Sequence, residues 1–397
     1  MNMHAHDLSP DDILIVGVGM TPVGEHWDLS IRELALHAIS AAREEAGGLR
    51  PEAMYAANML SPALTGQSHL ATLLADFAGL RGIEAMTVEA AGASGGLAFR
   101  QAYLALRSGI LQTALVVGVE KVTDRVSSQV DAALATTTDA DYEAIQGVTP
   151  IAQAAMVMRR YLHEYDAPDD ALGGFSMTAH ANAVHNPNAM FRKAIKPELY
   201  QRAGKVNDPI NMFDAAPIAD GAAALLLARA DILTGVSDKP MVRVRGSAAS
   251  TSALALHDQG DPLFLQASAD SAQRAFASAK LKPADVDFAE LHDRFTILAA
   301  LSLEAIGFAE RGQGWTWAAN GKISLQGELP ILTFGGSKAR GDVGGATGVI
   351  QIGEVVRQLQ GAAGEIQVAD AKIGLAQCLG GFGATAATHI LERVVTT

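Results

Sequence analysis

The chain has 397 residues, 49% of them apolar and 18% charged, which excludes an intrinsically disordered protein and supplies core for two or three compact units. Thirty basic residues against 43 acidic ones leave a net charge of -13 with no basic cluster, which argues against a nucleic-acid partner. The single cysteine, Cys378, excludes an intrachain disulfide and any multi-thiolate metal or iron-sulfur site, and it fits a reducing cytoplasm.

No apolar run is long enough for a membrane span, and MNMHAHDLSPDD at the start lacks the basic and apolar regions of a signal peptide. The first predicted element is a central strand over Ile13 to Val18. Ser30 and Glu33 have capping-box spacing, and the helix they open carries Ile31, Leu34, Ala38 and Ala41 to about Ala46, where Gly47 and Gly48 stop it. A helix over Ser68 to Phe77, a strand over Glu84 to Val88, a small-residue elbow from Gly92 to Gly96, a helix over Leu97 to Arg107 and a strand over Leu111 to Val119 follow. This order predicts an α/β unit with right-handed crossovers.

From Lys121 the pattern loosens into helices and long loops, read as an insertion that resumes strand character at Ala222 to Leu227. A strand from Pro240 to Val244, a helix over Leu263 to Ala279, a strand over Val286 to Leu291 and a helix over Phe295 to Ile306 come next. Leu332 to Phe334, a second glycine elbow from Gly335 to Gly348, a helix to about Gln358 and a final hairpin from Ile373 to Val395 repeat the strand, elbow, helix and strand of the first half. The predicted boundaries are 1–120 with 221–239 for the first half, 121–220 for the insertion and 240–397 for the second half.

Seven segments, in order along the chain, resemble the thiolase superfamily and its archaeal-type and sterol-carrier-type branch. They are VEAAGASGG (88–96), GVEKVTD (118–124), NP (186–187), IADGAAA (218–224), ELHDRF (290–295), GGSKARGDVGGATG (335–348) and CLGGFGATA (378–386). The resemblance implies a duplicated five-layered α/β/α/β/α fold with an inserted loop domain, and a homodimer or tetramer. It also implies coenzyme A as substrate or cosubstrate, with no permanently bound cofactor and no metal. Members of the branch work with a small partner combining a zinc ribbon and an oligonucleotide-binding-type barrel, which here would be a separate polypeptide.

Gly92 stands where the family has its nucleophilic cysteine, so no acyl-enzyme can form there. Ser94 nearby has no assignable base. Asp342 and Val343 replace the family's His-Pro, so nucleophile and activating partner are lost together. His292 matches the histidine of the oxyanion hole, and Cys378 falls at the acid-base cysteine. Gly92, Gly380 and Gly381 offer backbone amides near the reacting oxygen, and Lys338 and Arg340 are candidates for coenzyme A phosphates.

The reading that follows is a thiolase-like acyl-CoA enzyme, acetyl-CoA acetyltransferase-like in sequence, acting on a carbon-carbon bond without an acyl-cysteine and compatible with aldol or retro-aldol chemistry. Its alternatives are a non-catalytic acyl-CoA-binding or scaffold subunit, and a conventional thiolase with a displaced nucleophile such as Cys378.

Overall fold

The computed structural model describes residues 8–233 and 239–394. The first residues of the N-terminal reading, part of the 221–239 boundary and the end of the final strand at Val395 lie outside them.

The first half runs β1 (Ile13–Met20), α1 (Ile31–Glu45), β2 (Ala53–Ala57), α2 (Ser61–Leu64), α3 (Leu70–Phe77), β3 (Glu84–Val88), α4 (Ser94–Arg107) and β4 (Thr113–Glu120). Residues 121–220 hold α5 (Ser127–Ala135), α6 (Pro150–Glu164), α7 (Gly173–Ala183), α8 (Pro197–Gln201) and the small ribbon β5 (Lys205–Asn207) and β6 (Ile210–Asn211). Then come β7 (Gly221–Arg229), β8 (Met241–Thr251), α9 (Gln266–Ala279), β9 (Phe288–Leu291), α10 (Thr296–Ile306), α11 (Gly314–Ala319), α12 (Thr347–Leu359), β10 (Ile373–Gly380) and β11 (Thr385–Val394).

The strands order as β3-β2-β4-β7-β1-β8-β11-β10-β9, and the halves join where Leu14 and Ile15 of β1 pair with Arg243 and Val242 of β8. Helix α4 packs on β2 and β4 and also on β8 and β11, while α12 packs on β9 and β10 and also on β4 and β7. These two helices therefore form a layer between the two sheet halves. With α1 outside the first half and α9 outside the second, the chain is the expected duplicated five-layered arrangement.

Local sequence explains the close layers. Ser30 accepts from the Glu33 amide and Glu33 returns to the Ser30 amide, so the capping box starts α1 as anticipated. A Cβ at Gly17 or Gly19 would sit 2.0 Å from the carbonyl oxygens of Ala42 and Ala38, so these glycines let α1 lie directly on β1.

Two expectations need correction. Strand β2 was not anticipated, and the proposed strand at Leu332 to Phe334 is absent: this stretch is a turn with Leu332 at φ +52, and only Ile331 bridges to Ala289. The second elbow is thus approached from a turn and the first from a strand.

Candidate active site

Two tight turns meet between the halves, one at Ala91–Ala93 leading into α4 and one at Gly344–Ala346 leading into α12. Ala91 has φ +50, a left-handed conformation uncommon outside glycine. Ser94 braces it: its hydroxyl accepts from the Ala90 amide at 2.9 Å and donates to the Ala91 carbonyl at 2.6 Å. The Ser94 hydroxyl is therefore committed to holding the turn.

Gly92 faces His292. A Cβ there would lie 2.8 Å from His292 Cε1 and 2.6 Å from the Leu379 carbonyl oxygen, so the surrounding backbone has closed over the space a nucleophile's side chain would need. His292 follows the end of β9 and is 3% exposed. Burial pushes its imidazole below the usual range against the pull of Asp342 and Asp293, so it is neutral at pH 7.

Asp342 lines the same cleft. Its backbone is pinned by its amide to Pro217 O and by the Ala219 amide to its own carbonyl. The Thr347 hydroxyl donates to Oδ1 at 2.9 Å, and Arg294 Nε lies 3.3 Å from Oδ2. Burial alone would raise the carboxyl, but Arg294, His292 and Thr347 outweigh it and hold Asp342 below the usual carboxylate range. The cleft thus contains a neutral imidazole and an ionised carboxylate. Its free volume is about 20 Å³, enough for a water, so a substrate enters only as lining side chains such as Phe295 and Phe382 move.

The other candidates fall elsewhere. Cys378 is fully buried on β10, and a Cβ on Gly96 or Gly348 would meet its Sγ at 2.9 and 2.8 Å, so the thiol is wedged between α4 and α12 and outside the cleft lining. Burial raises it to about 12, which leaves it a neutral thiol. Gly381 lines the cleft with φ +59, and Gly380 passes so near the first elbow that a Cβ would lie 2.2 Å from Ala90 O.

Lys338 and Arg340 are not surface cations: Lys338 Nζ donates to the carbonyls of Asp214 and Arg294, and Arg340 Nη1 donates to Glu354. Both are buried, and Lys338 also lines a second, wider cavity with Phe191, Arg192 and Lys193.

Arg294 was missed as a site residue, although it sits inside the HDRF segment. Glu120 was missed too: it accepts from Asn58 Nδ2 and from the amides of Met59, Leu60 and Gly345, tying the second elbow to the end of β2. Among the described residues, no cluster of three or more histidine, cysteine or acidic side chains is placed to hold a metal, and no helix is long and apolar enough to cross a membrane.

The family description "Thiolase, N-terminal domain" matches residues 13–231, and "Thiolase C-terminal domain-like" matches residues 248–393. The chain belongs to the thiolase superfamily. This thiolase-superfamily chain is 42% identical over 384 residues to an acetyl-CoA acetyltransferase of Methanothermobacter thermautotrophicus, covering 96% of itself and 100% of that relative. It is 26% identical over 363 residues to a steroid side-chain-cleaving aldolase of Thermomonospora curvata, covering 88% and 91%. Among solved structures, an Ltp2-ChsH2(DUF35) aldolase matches with TM-score 0.82 at 24% identity, over 98% of this chain and 99% of that one, which is a likeness of fold.

Proposed function

We propose that this chain acts on an acyl-CoA thioester, making or breaking the carbon-carbon bond next to the thioester by an aldol or retro-aldol route with no acyl-enzyme. The observation that carries this reading is Gly92, which presents no atom to acylate at the helix-start elbow and whose surroundings leave no room for one. What remains suits an enolate. In the cleaving direction, Asp342 takes the proton from a β-hydroxyl, the Cα–Cβ bond breaks, and its electron pair moves into the thioester. An N–H of neutral His292 stabilises the resulting enolate oxygen, and return of the proton from Asp342, directly or through water, to Cα restores the carboxylate and releases a shortened acyl-CoA beside a carbonyl compound.

The names of the relatives span both chemistries, an acetyltransferase and an aldolase, and the site favours the second. The aldolase of like fold is named together with a DUF35 protein, which supports a small separate partner for this chain as well. Strand β3, at the outer edge of the sheet with Met86 50% exposed, is the proposed surface for pairing with a second copy.

The deciding assay is mass spectrometry of the purified protein with a panel of β-hydroxyacyl-CoA thioesters and, separately, with acetoacetyl-CoA plus free CoA. Cleavage of the first without thiolysis of the second is the expected result, and acetyl-CoA from the second overturns it. Binding of thioesters with no product from either favours the non-catalytic subunit, a reading to which the narrow cleft also lends support.

A further inference from the structure

Helix α12 is buried along its whole length except at Arg357, yet its sequence, TGVIQIGEVVRQL, puts Thr347, Gln351, Glu354 and Gln358 on one stripe at spacings of four, three and four. A polar stripe inside a core is costly unless it is paired. Its ends are paired: Thr347 donates to Asp342, and Gln358 Nε2 donates to Thr333 Oγ1 at 3.0 Å, whose hydroxyl in turn donates to Glu290 Oε1 at 2.6 Å. Glu354 between them holds Arg340. The stripe is thus one wall of a polar seam from the cleft to Glu290, and Glu290 stands two residues before His292 on the same chain segment.

The middle of the seam is not paired by protein. His292 Nδ1, Arg340 Nε and Nη2, Gln351 Oε1 and Glu290 Oε2 are all buried without a hydrogen-bond partner. The Arg340 charge acts on both His292 and Glu290, and Gln351 lies on the same stripe of α12, so unmatched donors and acceptors border one seam, which is the setting that holds ordered water.

We infer that the seam holds buried water, and that Arg340, acting through one such water, fixes His292 as the tautomer with its proton on Nε2. An arginine side chain only donates. A water accepting from its free N–H groups has a hydrogen left to give, and His292 Nδ1 is an open acceptor for it. With Nδ1 accepting, the remaining proton lies on Nε2, the ring atom 3.3 Å from the Cβ position of Gly92 and hence turned toward the cleft. Burial is the main reason the imidazole stays neutral, and the guanidinium charges of Arg294 and Arg340 add to it by opposing protonation of the His292 ring. Arg340 is thereby a positioning residue: it makes His292 a standing N–H donor at the place where an oxyanion forms.

The use made of that donor rests on the aldol reading above, but the water and the tautomer are observable without turnover. The experiment is long-range proton-nitrogen NMR on protein labelled with 15N-histidine, with the His292 signal identified by its loss in His292→Gln. A high-resolution crystal structure is determined alongside. Expected are a neutral ring protonated at Nε2 from about pH 6 to pH 8, and ordered water between Arg340 and Nδ1.

Arg340→Lys keeps the cation for Glu354 but loses donors, and it is expected to mix the tautomers while the fold, checked by circular dichroism, persists. A wild-type ring protonated at Nδ1, an imidazolium across that range, or a dry seam overturns the inference, and so does an unchanged tautomer in a folded Arg340→Lys. If that variant does not fold, the wild-type spectrum and map decide alone. Loss of turnover with every thioester while the tautomer and water are as expected sinks the aldol reading and leaves this one standing.

Discussion

Gly92→Cys restores the side chain a thiolase uses, and the structure says it does not restore the activity. An ideal Cβ would stand 2.6 Å from Leu379 O and 2.8 Å from His292 Cε1. Ordinary carbon-oxygen contacts begin at about 3.3 Å, so the elbow or the Leu379 carbonyl must give by about 0.7 Å. Leu379 lies within β10, in register with Ala386 of β11, so its backbone cannot shift away cheaply. Overpacking of this kind costs about 1–3 kcal/mol.

The thiol would also form beside the ionised Asp342, where a like charge disfavours thiolate, and with no imidazole base at position 342. Urea unfolding of wild type, Gly92→Ala and Gly92→Cys measures the first effect, with Ala and Cys expected to lose similar stability. Intact-mass analysis after acetoacetyl-CoA measures the second, with no acetyl adduct expected on the introduced thiol. A Gly92→Cys protein as stable as wild type that accumulates an acetyl adduct refutes the steric and the electrostatic parts together. An adduct that appears only in Gly92→Cys with Asp342→His supports the electrostatic part.

Cys378 in the native protein is expected to resist thiol reagents and to react once per chain on unfolding, and Cys378→Ala should keep turnover while losing roughly 1 kcal/mol of stability by urea titration; loss of turnover in a folded variant would return Cys378 to the reaction. Asp342→Asn keeps an acceptor for Thr347 and removes the base, so retro-aldol kcat is expected to fall at least about 100-fold with a smaller change in KM. In wild type the same carboxyl, held low, should keep kcat level as pH falls through the ordinary carboxylate range.

Glu290 is pushed up by burial and by the nearby Glu354. The folded state therefore binds more protons than the unfolded one above the ordinary glutamate value of 4.5, and stability should decline as pH rises from there through the folded pKa. Chemical denaturation across pH should show that decline, and Glu290→Gln should flatten it; an unchanged slope would place the proton elsewhere.

Much of the fold was legible because local signals agreed with tertiary ones. Ser30 with Glu33, the glycines ending α1, and the branched runs of β1 and β4 each specify what they form. β2 was not legible: AMYAA is buried on every residue, so it shows neither the alternation of a half-exposed strand nor a branched run.

The loss of the nucleophile at Gly92, the match of His292 and the oddity of Asp342 could be read from order along the chain. Side-chain direction could not. Cys378 occupies the right strand, yet its Sγ lies between Gly96 and Gly348, and Arg340 looked like a loop cation until α12 was seen to cover it. The glutamines and glutamate of α12 carry no sequence signal of burial, and only the central layer turns that face inward.

Strand β1 has both of its neighbours, β7 and β8, about 200 residues downstream, since Ile13 pairs with Arg229 and Leu14 with Arg243. At about 5–20 residues per second on the ribosome, the segment ILIVGVGM waits roughly 10–40 s before its first partner is made. Through that interval an apolar strand with two open edges is exposed to every other nascent chain and chaperone nearby. The yield of this protein in a cell is therefore set early, by how its first strand is sheltered during translation, and slowing synthesis between residues 20 and 221 should lower soluble yield more than slowing it after residue 251.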